Sequence, residues 1–550
     1  MARVAKMVSR TVALFQRARR ALESRWQNME PREFSTLVFR LCLIISAILG
    51  GMAVYQRTIN MWSMKNIGDT FLRKEIGSRQ IVLGAFFREK SEQNLEGKYA
   101  IIHFLGDGRL EHPLYCHTPM ANGETLTTRA HVQRIHRGKR AANDICAWAG
   151  HIAECEVEVH THHEMRIGTS PDPLESMLIK PEIPIHTKKK AELVVCMAPM
   201  YIYVEWEILL LGLETWIAMG AEKIIVPVQS ASTTAYAILK QYEKQGIVEI
   251  RDWPKWPVLS DVNPNGLVLS RGIEESHVNC LFYVKPFADM AVFTDIDDFY
   301  LPPDPSKVVP GGTPAAFREL FYEHPQAGSL LFEHRDVQLR LPEEAAKSLD
   351  TFNFDFLKST NYKQNCAVWR MKTRVLVNAS RVDSVNMHET GIHRFGYVQV
   401  RVPCRRGHFY HMRHSHRAVP NAAAIEMEPL MNILDGAWKT RLSTTLSEIA
   451  SAPLSSSSTK SFEDFDKCMG AINEEHWTMS VSRCLTPHVC YSRVKRDVKC
   501  VAANTNYSFH FSASSASYII TSSNHTISEA ESNCEAPQPT FTSGNHYYIP

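Results

Sequence analysis

The sequence predicts an α/β fold: a mostly parallel sheet flanked by helices, preceded by a small β-rich module and a single N-terminal transmembrane helix. Three observations carry this reading. Strand-like and helix-like apolar segments alternate from residue 191 onward, a 22-residue apolar stretch lies at 34–55, and short β-like runs fill the region between them. The chain has 550 residues, a length that suggests about two to four domains. Its formal net charge of +3 argues against a nucleic-acid-binding surface, so no nucleic acid is expected among the partners.

The stretch "FSTLVFRLCLIISAILGGMAVY" carries Arg40 as its only charge. It is long enough to cross a bilayer as a helix, and Arg40 is near enough to one end to snorkel. Residues 1–33 hold eight Lys/Arg against three Glu, an excess that predicts a cytoplasmic N-terminus. A cleaved signal peptide would place its apolar core nearer Met1. The expectation is a single-pass type II membrane protein with the rest of the chain lumenal or extracellular. With Cys42 in the span, twelve of the 13 cysteines lie beyond it, an even number suited to disulfides. Asn378, Asn506 and Asn524 head Asn-x-Ser/Thr tripeptides, which are glycosylation candidates in that topology.

The elements follow in order. "ECEVEVHTH" alternates as a half-buried strand does and belongs to the β-rich module, which contains Cys116, Cys146 and Cys155. "AELVVCMAPMY" is a buried strand, "VEWEILLLGLETWIAMGA" a helix, "EKIIVPVQS" a second strand, and "TTAYAILKQYEKQG" a second helix with Gly246 at its C-cap. "IVEIRDWP", "ESHVNCLFYVKPFA" and "MAVFTDIDDF" continue as strand, helix and strand. This pace predicts βαβ units and a parallel sheet. The expected organisation is a cytoplasmic tail (1–33), a signal anchor (34–55), a stem and β-rich module (56–188), the α/β domain (189–432), a Ser-rich linker (433–463), a cysteine-containing segment (464–500) and a disordered tail (501–550).

The fourth strand ends in three carboxylates, Asp295, Asp297 and Asp298. Like charges this close repel unless a cation or a hydrogen-bond network holds them. In an extended chain residues two apart point the same way. Asp295 and Asp297 are then expected to share one hard divalent cation, with Asp298 pointing away. Oxygen ligands suit Mg²⁺ or Mn²⁺, and such an ion keeps positions open for phosphate oxygens. The alternative is a solvated acidic loop or a helix cap. A haloacid-dehalogenase-like phosphatase would place Asp-x-Asp after the first strand of its domain, whereas here three strands come first.

Taken together, Glu205-Trp206, Gly220-Ala221, Asn279-Cys280, the run Asp295 to Phe299 and His411-Met412-Arg413 resemble the successive blocks of glycosyltransferase family 92, over roughly residues 190–420. The resemblance implies a GT-A-type nucleotide-sugar transferase domain in a Golgi membrane protein. It implies transfer of a hexose, galactose from UDP-galactose, to a glycan or glycoprotein acceptor with inversion to a β linkage. It also implies a Mn²⁺ cofactor, or another divalent cation. On it, Asp297 binds the ion directly, Asp295 holds the ribose or a metal-bound water, and His411 is a third ligand, with His388 a second candidate. Arg413 contacts phosphate. The acceptor hydroxyl needs a base, and Glu333 and Asp336 in "FEHRD" are the candidates. Two places depart from the family pattern: Val228-Gln229 ahead of Ser230, and "LLFEHRDVQL" after the metal motif. They motivate an alternative, a catalytically inactive glycan- or partner-binding protein of the same fold. A zinc site built from His408, His411, His414 and His416 lacks cysteines at the usual spacing.

Overall fold

The computed structural model describes residues 77–88, 98–136, 146–158, 164–185, 187–268, 272–342, 346–363, 373–386, 388–414, 422–454, 498–530 and 534–542, with isolated residues within 39–51 and 467–484. The chain divides into two compact units, Met1–Gly77 and Ser78–Pro550. In the first, residues 39–40, 43–47 and 50–51 are helical, and the rest of the expected span lies outside the described residues. Among the described residues no helix is long and apolar enough to cross a membrane.

The second unit contains strands β1 (Arg79–Arg88), β2 (Lys98–Asp107), β3 (Trp148–Val157), β4 (Ala191–Met197), β5 (Lys223–Val228), β6 (Val248–Asp252), β7 (Ala288–Thr294), β8 (Asp298–Leu301), β9 (Ala327–Leu339), β10 (Thr373–Asn378), β11 (His408–His414), β12 (Cys500–Ser512) and β13 (Ser517–Glu529). Its helices are α1 (Trp206–Ala218), α2 (Thr233–Lys244), α3 (Ile273–Val284), α4 (Thr313–Glu323) and α5 (Glu428–Ser443). The central sheet runs β6-β5-β4-β7-β10-β9, with β11 beside β9 and β8 beside β11. The first four of these are parallel. β10 runs antiparallel between β7 and β9, so the sheet is mixed beyond β7. The chain starts at β4, winds outward through β5 and β6, and returns with β7 on the other side of β4. That reversal opens a crevice beyond the carboxyl ends of β4 and β7, where ligands bind in such sheets.

Sequence explains the supports of this crevice. α1 is mostly apolar, with Glu207 and Glu214 on one face, and is buried nearly throughout, as expected for a helix covered on both faces. Gly220 ends it at φ 102, with Ala221 N–H returning to the Trp216 carbonyl at 2.9 Å; a left-handed residue at this position is what glycine supplies most readily. Ser232 caps α2 by accepting from Ala235 N–H at 3.2 Å. A disulfide joins Cys196 on β4 to Cys280 on α3.

Two expected boundaries need correction. The domain does not end at residue 432, because α5 runs to Ser443 and places Leu430, Leu434 and Trp438 in the core. These apolar residues recur every four positions, a helical period that the Ser-rich sequence beyond them obscures. Residues 501–550, expected to be disordered, hold the long hairpin β12–β13. It pairs with β1 on one side and with Ser230–Ser232 on the other. The Ser/Asn/Thr-rich composition hides an apolar set, Tyr507, Ile519 and Ile520, that packs inward. The N-terminal β-rich module is therefore completed by the C-terminal chain, in a sheet ordered Ser230–Ser232, β12, β13, β1, β2, β3 and His131–Arg134. Further disulfides join Cys116 to Cys155, Cys146 to Cys484 and Cys500 to Cys534.

Candidate active site at the end of the central strand

The acidic run leaves β7 at Thr294 and does not stay extended. Residues 296–297 form a turn, with Asp298 N–H donating to the Asp295 carbonyl at 3.2 Å. The turn is gripped from two sides. Gly212 of α1 meets the Ile296 carbonyl so closely that a Cβ there would overlap it. Trp216, one helical turn further, donates its indole N–H to the Asp298 carbonyl at 3.1 Å. From the other side Met412 N–H donates to the Asp297 carbonyl at 2.7 Å, tying the turn to β11.

This turn corrects the expected side-chain geometry. Period-two alternation does not apply through it, so Asp298 does not point away. Ligand oxygens of Asp295, Asp297 and Asp298 all lie within 4.8 Å of one another. Asp298 is fully buried and collects donors. Its Oδ1 faces His411 Nδ1 at 2.6 Å and His334 Nε2 at 3.0 Å. Its Oδ2 takes the Arg374 guanidinium, and lies 3.3 Å from Thr294 Oγ1 and 3.4 Å from Asp295 N–H. Burial alone would raise this carboxyl, but Arg374, His334 and His411 hold it well below the usual range. Arg374 also pairs with Asp295, bridging the first and last carboxylates of the run.

Asp297 is the member left least satisfied. Burial and the adjacent carboxylates Asp298 and Asp295 push it up to about 6, against the pull of His411, which lies 3.5 Å away. Burial would lower His411, but Asp297 and Asp298 raise it to about 9. With Nδ1 taken by Asp298, the His411 ring has Nε2 left for another partner, the arrangement that orients a metal-ligating imidazole. The donor set therefore fits a hard divalent cation: a carboxylate held toward its neutral form by like charge, a second carboxylate beside it, and a histidine oriented by a third.

A family model for glycosyltransferase family 92 matches residues 191–484, just over half of the chain. The chain belongs to glycosyltransferase family 92. The match contains every candidate active-site residue named above. Among similar proteins, glycosyltransferase family 92 protein F13G3.3 of Caenorhabditis elegans is 22% identical over 252 residues, 44% of this chain and 46% of the relative. Family 92 protein F59C6.8 of the same organism is 23% identical over 272 residues, 49% of each chain. The chain thus spans about half the length of the curated relatives it matches. A solved structure of S. aureus TarS 1–349 in complex with UDP-GlcNAc aligns over 55% of this chain and 83% of its own, at 10% identity and a TM-score of 0.23.

The other expected residues of the family 92 domain fall in different places. Glu333 is buried on β9 and pairs with Arg335 at 3.5 Å; burial raises its carboxyl against that pairing. Asp336 is exposed and stands in register with His411 on the neighbouring strand. Arg413 lies two residues beyond His411 on β11, opposite Gln338; its side chain is outside the described residues. His388 does not join the carboxylates: its Nδ1 lies 3.0 Å from the Thr373 carbonyl and 3.5 Å from Arg374 Nη1. Of the four histidines weighed for zinc, His411 alone joins a ligand cluster among the described residues, with Asp298 and His334. Gln229 is buried and donates to the Trp253 carbonyl at 3.1 Å, a structural use of that departure. Sequence reasoning missed Arg374, His334, Gly212 and Trp216. His334 sits between the two carboxylates singled out in "FEHRD", two residues before Asp336 on the same strand. Arg374, in "MKTRVLVN", has no local signal.

Proposed function

We propose that this chain is a metal-dependent, inverting hexosyltransferase that uses a UDP-sugar, UDP-galactose by family expectation, to extend a glycan or glycoprotein acceptor. The observation that carries the reading is the three-carboxylate cluster at the β4/β7 crevice inside a family 92 domain. Asp297 and the free Nε2 of His411 would hold a divalent cation, with Asp295 at its edge or on the ribose. When bound, that ion neutralises charge on the departing diphosphate. Asp298 orients His411. Asp336, exposed beside His411, is better placed than Glu333 to accept the acceptor's proton, since Glu333 is buried against Arg335. Anchorage by residues 34–55 in a Golgi-type membrane with a lumenal catalytic domain belongs to the same proposal, and the disulfides found among the described residues support an oxidising compartment.

Calorimetric titration of UDP with and without Mn²⁺ tests the site, and a screen of nucleotide sugars for turnover tests the donor. UDP binding that depends on Mn²⁺ in wild type and not in Asp297→Asn is expected, with turnover reduced at least about 10²-fold, the scale of losing one strong transition-state contact. Equal Mn²⁺-dependent UDP binding by both proteins would remove Asp297 as a ligand. A second reading, a binding protein without turnover, draws on the resident Arg374, which already engages Asp295 and Asp298. It would take first place if UDP binds and no nucleotide sugar is turned over.

A further inference from the structure

We infer that Arg374 is a resident counter-cation of the carboxylate cluster, and that its grip on Asp295 and Asp298 makes divalent-cation binding conditional on a nucleotide diphosphate. The inference rests on the nucleotide-sugar reading and adds an order of assembly to it.

The geometry is specific. Arg374 is 2% exposed. It stands on β10, whose Val375 pairs with Phe293 of β7, so the side chain enters where the acidic run begins. Nε engages Asp298, Nη2 engages Asp295, and Nη1 lies 3.4 Å from the Thr373 carbonyl. A guanidinium does not deprotonate in a protein, so this charge is permanent, and its planar fork suits two carboxylates at once.

Two consequences follow for an incoming ion. Arg374 holds an oxygen of both Asp295 and Asp298, and Asp298 is further saturated by His334 and His411. Asp297, the second oxygen of Asp295 and one nitrogen of His411 remain, a sparse set for an ion that is held best when substrate phosphates join one or two carboxylates. Arg374 also repels a second cation at short range. A diphosphate answers both needs. It adds oxygen ligands, and its negative charge offsets the guanidinium. The protein alone is then a poor Mn²⁺ site, and protein with UDP is a good one. Arg374 acts as a positioning residue, through the carboxylates.

The test is calorimetry on the full chain in detergent, with Mn²⁺ alone, UDP alone and both as probes, for wild type, Arg374→Lys and Arg374→Met. Wild type should bind Mn²⁺ at least about tenfold more weakly without UDP than with it. Arg374→Met should gain at least about tenfold in affinity for Mn²⁺ alone and lose the UDP dependence. Arg374→Lys keeps the charge but not the fork, and should retain most of the UDP dependence. Near-UV circular dichroism checks the folding of each, and should Arg374→Met fail to fold, wild type and Arg374→Lys decide. Tight Mn²⁺ binding by wild type without UDP would overturn the inference. So would a folded Arg374→Met protein with no gain. If UDP does not bind wild type at all, the nucleotide-sugar reading fails, and the Mn²⁺-alone comparison still decides whether Arg374 withholds the carboxylates.

Discussion

His411 Nδ1 lies 2.6 Å from Asp298 Oδ1, across 113 residues of sequence. The contact makes Asp298 the hub of the site rather than a carboxylate pointing away from it. Removing its charge leaves Arg374 buried with Asp295 as its remaining carboxylate. Asp298→Asn should therefore destabilise the protein by about 3–5 kcal/mol, the cost of breaking a buried ion pair from one side. Chemical denaturation of the two proteins measures it. A loss under about 1 kcal/mol would show that the hub is not needed.

Gly212 allows α1 to touch the Ile296 carbonyl. Gly212→Ala must move either the helix or the turn. The helix preference for alanine favours the variant by about 1 kcal/mol, while overpacking opposes it by about 1–3 kcal/mol. A lower melting temperature together with weaker Mn²⁺-dependent UDP binding is the expected result. Unchanged UDP binding would mean that the turn does not depend on this close approach.

A pH dependence arises where the β-rich module meets the α/β domain. His136 lies 3.3 Å from both Glu274 and Glu389. Burial would lower its imidazole, but the two glutamates raise it from 6.5 to about 10. A raised folded-state value means that the protonated form stabilises the fold. That contribution is fully present below pH 6.5 and is lost as pH rises through about 10. Stability measured across this window should fall in wild type and fall less in His136→Gln. Parallel curves for the two proteins would contradict the assignment.

The proposed lumenal topology predicts N-glycosylation in a secretory cell, and exposure ranks the acceptors. Asn524 is exposed at φ 54, on a strand whose pairing shifts register opposite Asn504/Asn506. Asn506 instead accepts from Thr540 Oγ1 at 2.6 Å within the sheet, and Asn378 accepts from Ser380 in its turn. Peptide mapping after glycosidase treatment should find Asn524 occupied. Three unmodified asparagines, with the C-terminus open to protease in sealed vesicles, would reverse the topology.

The sequence by itself determined the order of strands and helices through β7, because each apolar run carries its own period and its own cap, such as Gly220 and Gly246. It also placed the carboxylates at the end of a strand in the α/β domain, and the spread of short blocks pointed to the family. It could not determine how those carboxylates are arranged. Whether Asp298 faces in or out depends on the turn at 296–297, and that turn exists because Gly212, Trp216 and Met412 hold it from elements distant in the chain. Tertiary structure alone decided the partners. Arg374 reaches Asp295 from 79 residues away and His334 reaches Asp298 from 36, distances over which local pattern carries no information. The same reason accounts for the C-terminal hairpin. Its polar composition describes surface, while its place was decided by open edges at β1 and Ser230–Ser232, which needed backbone partners.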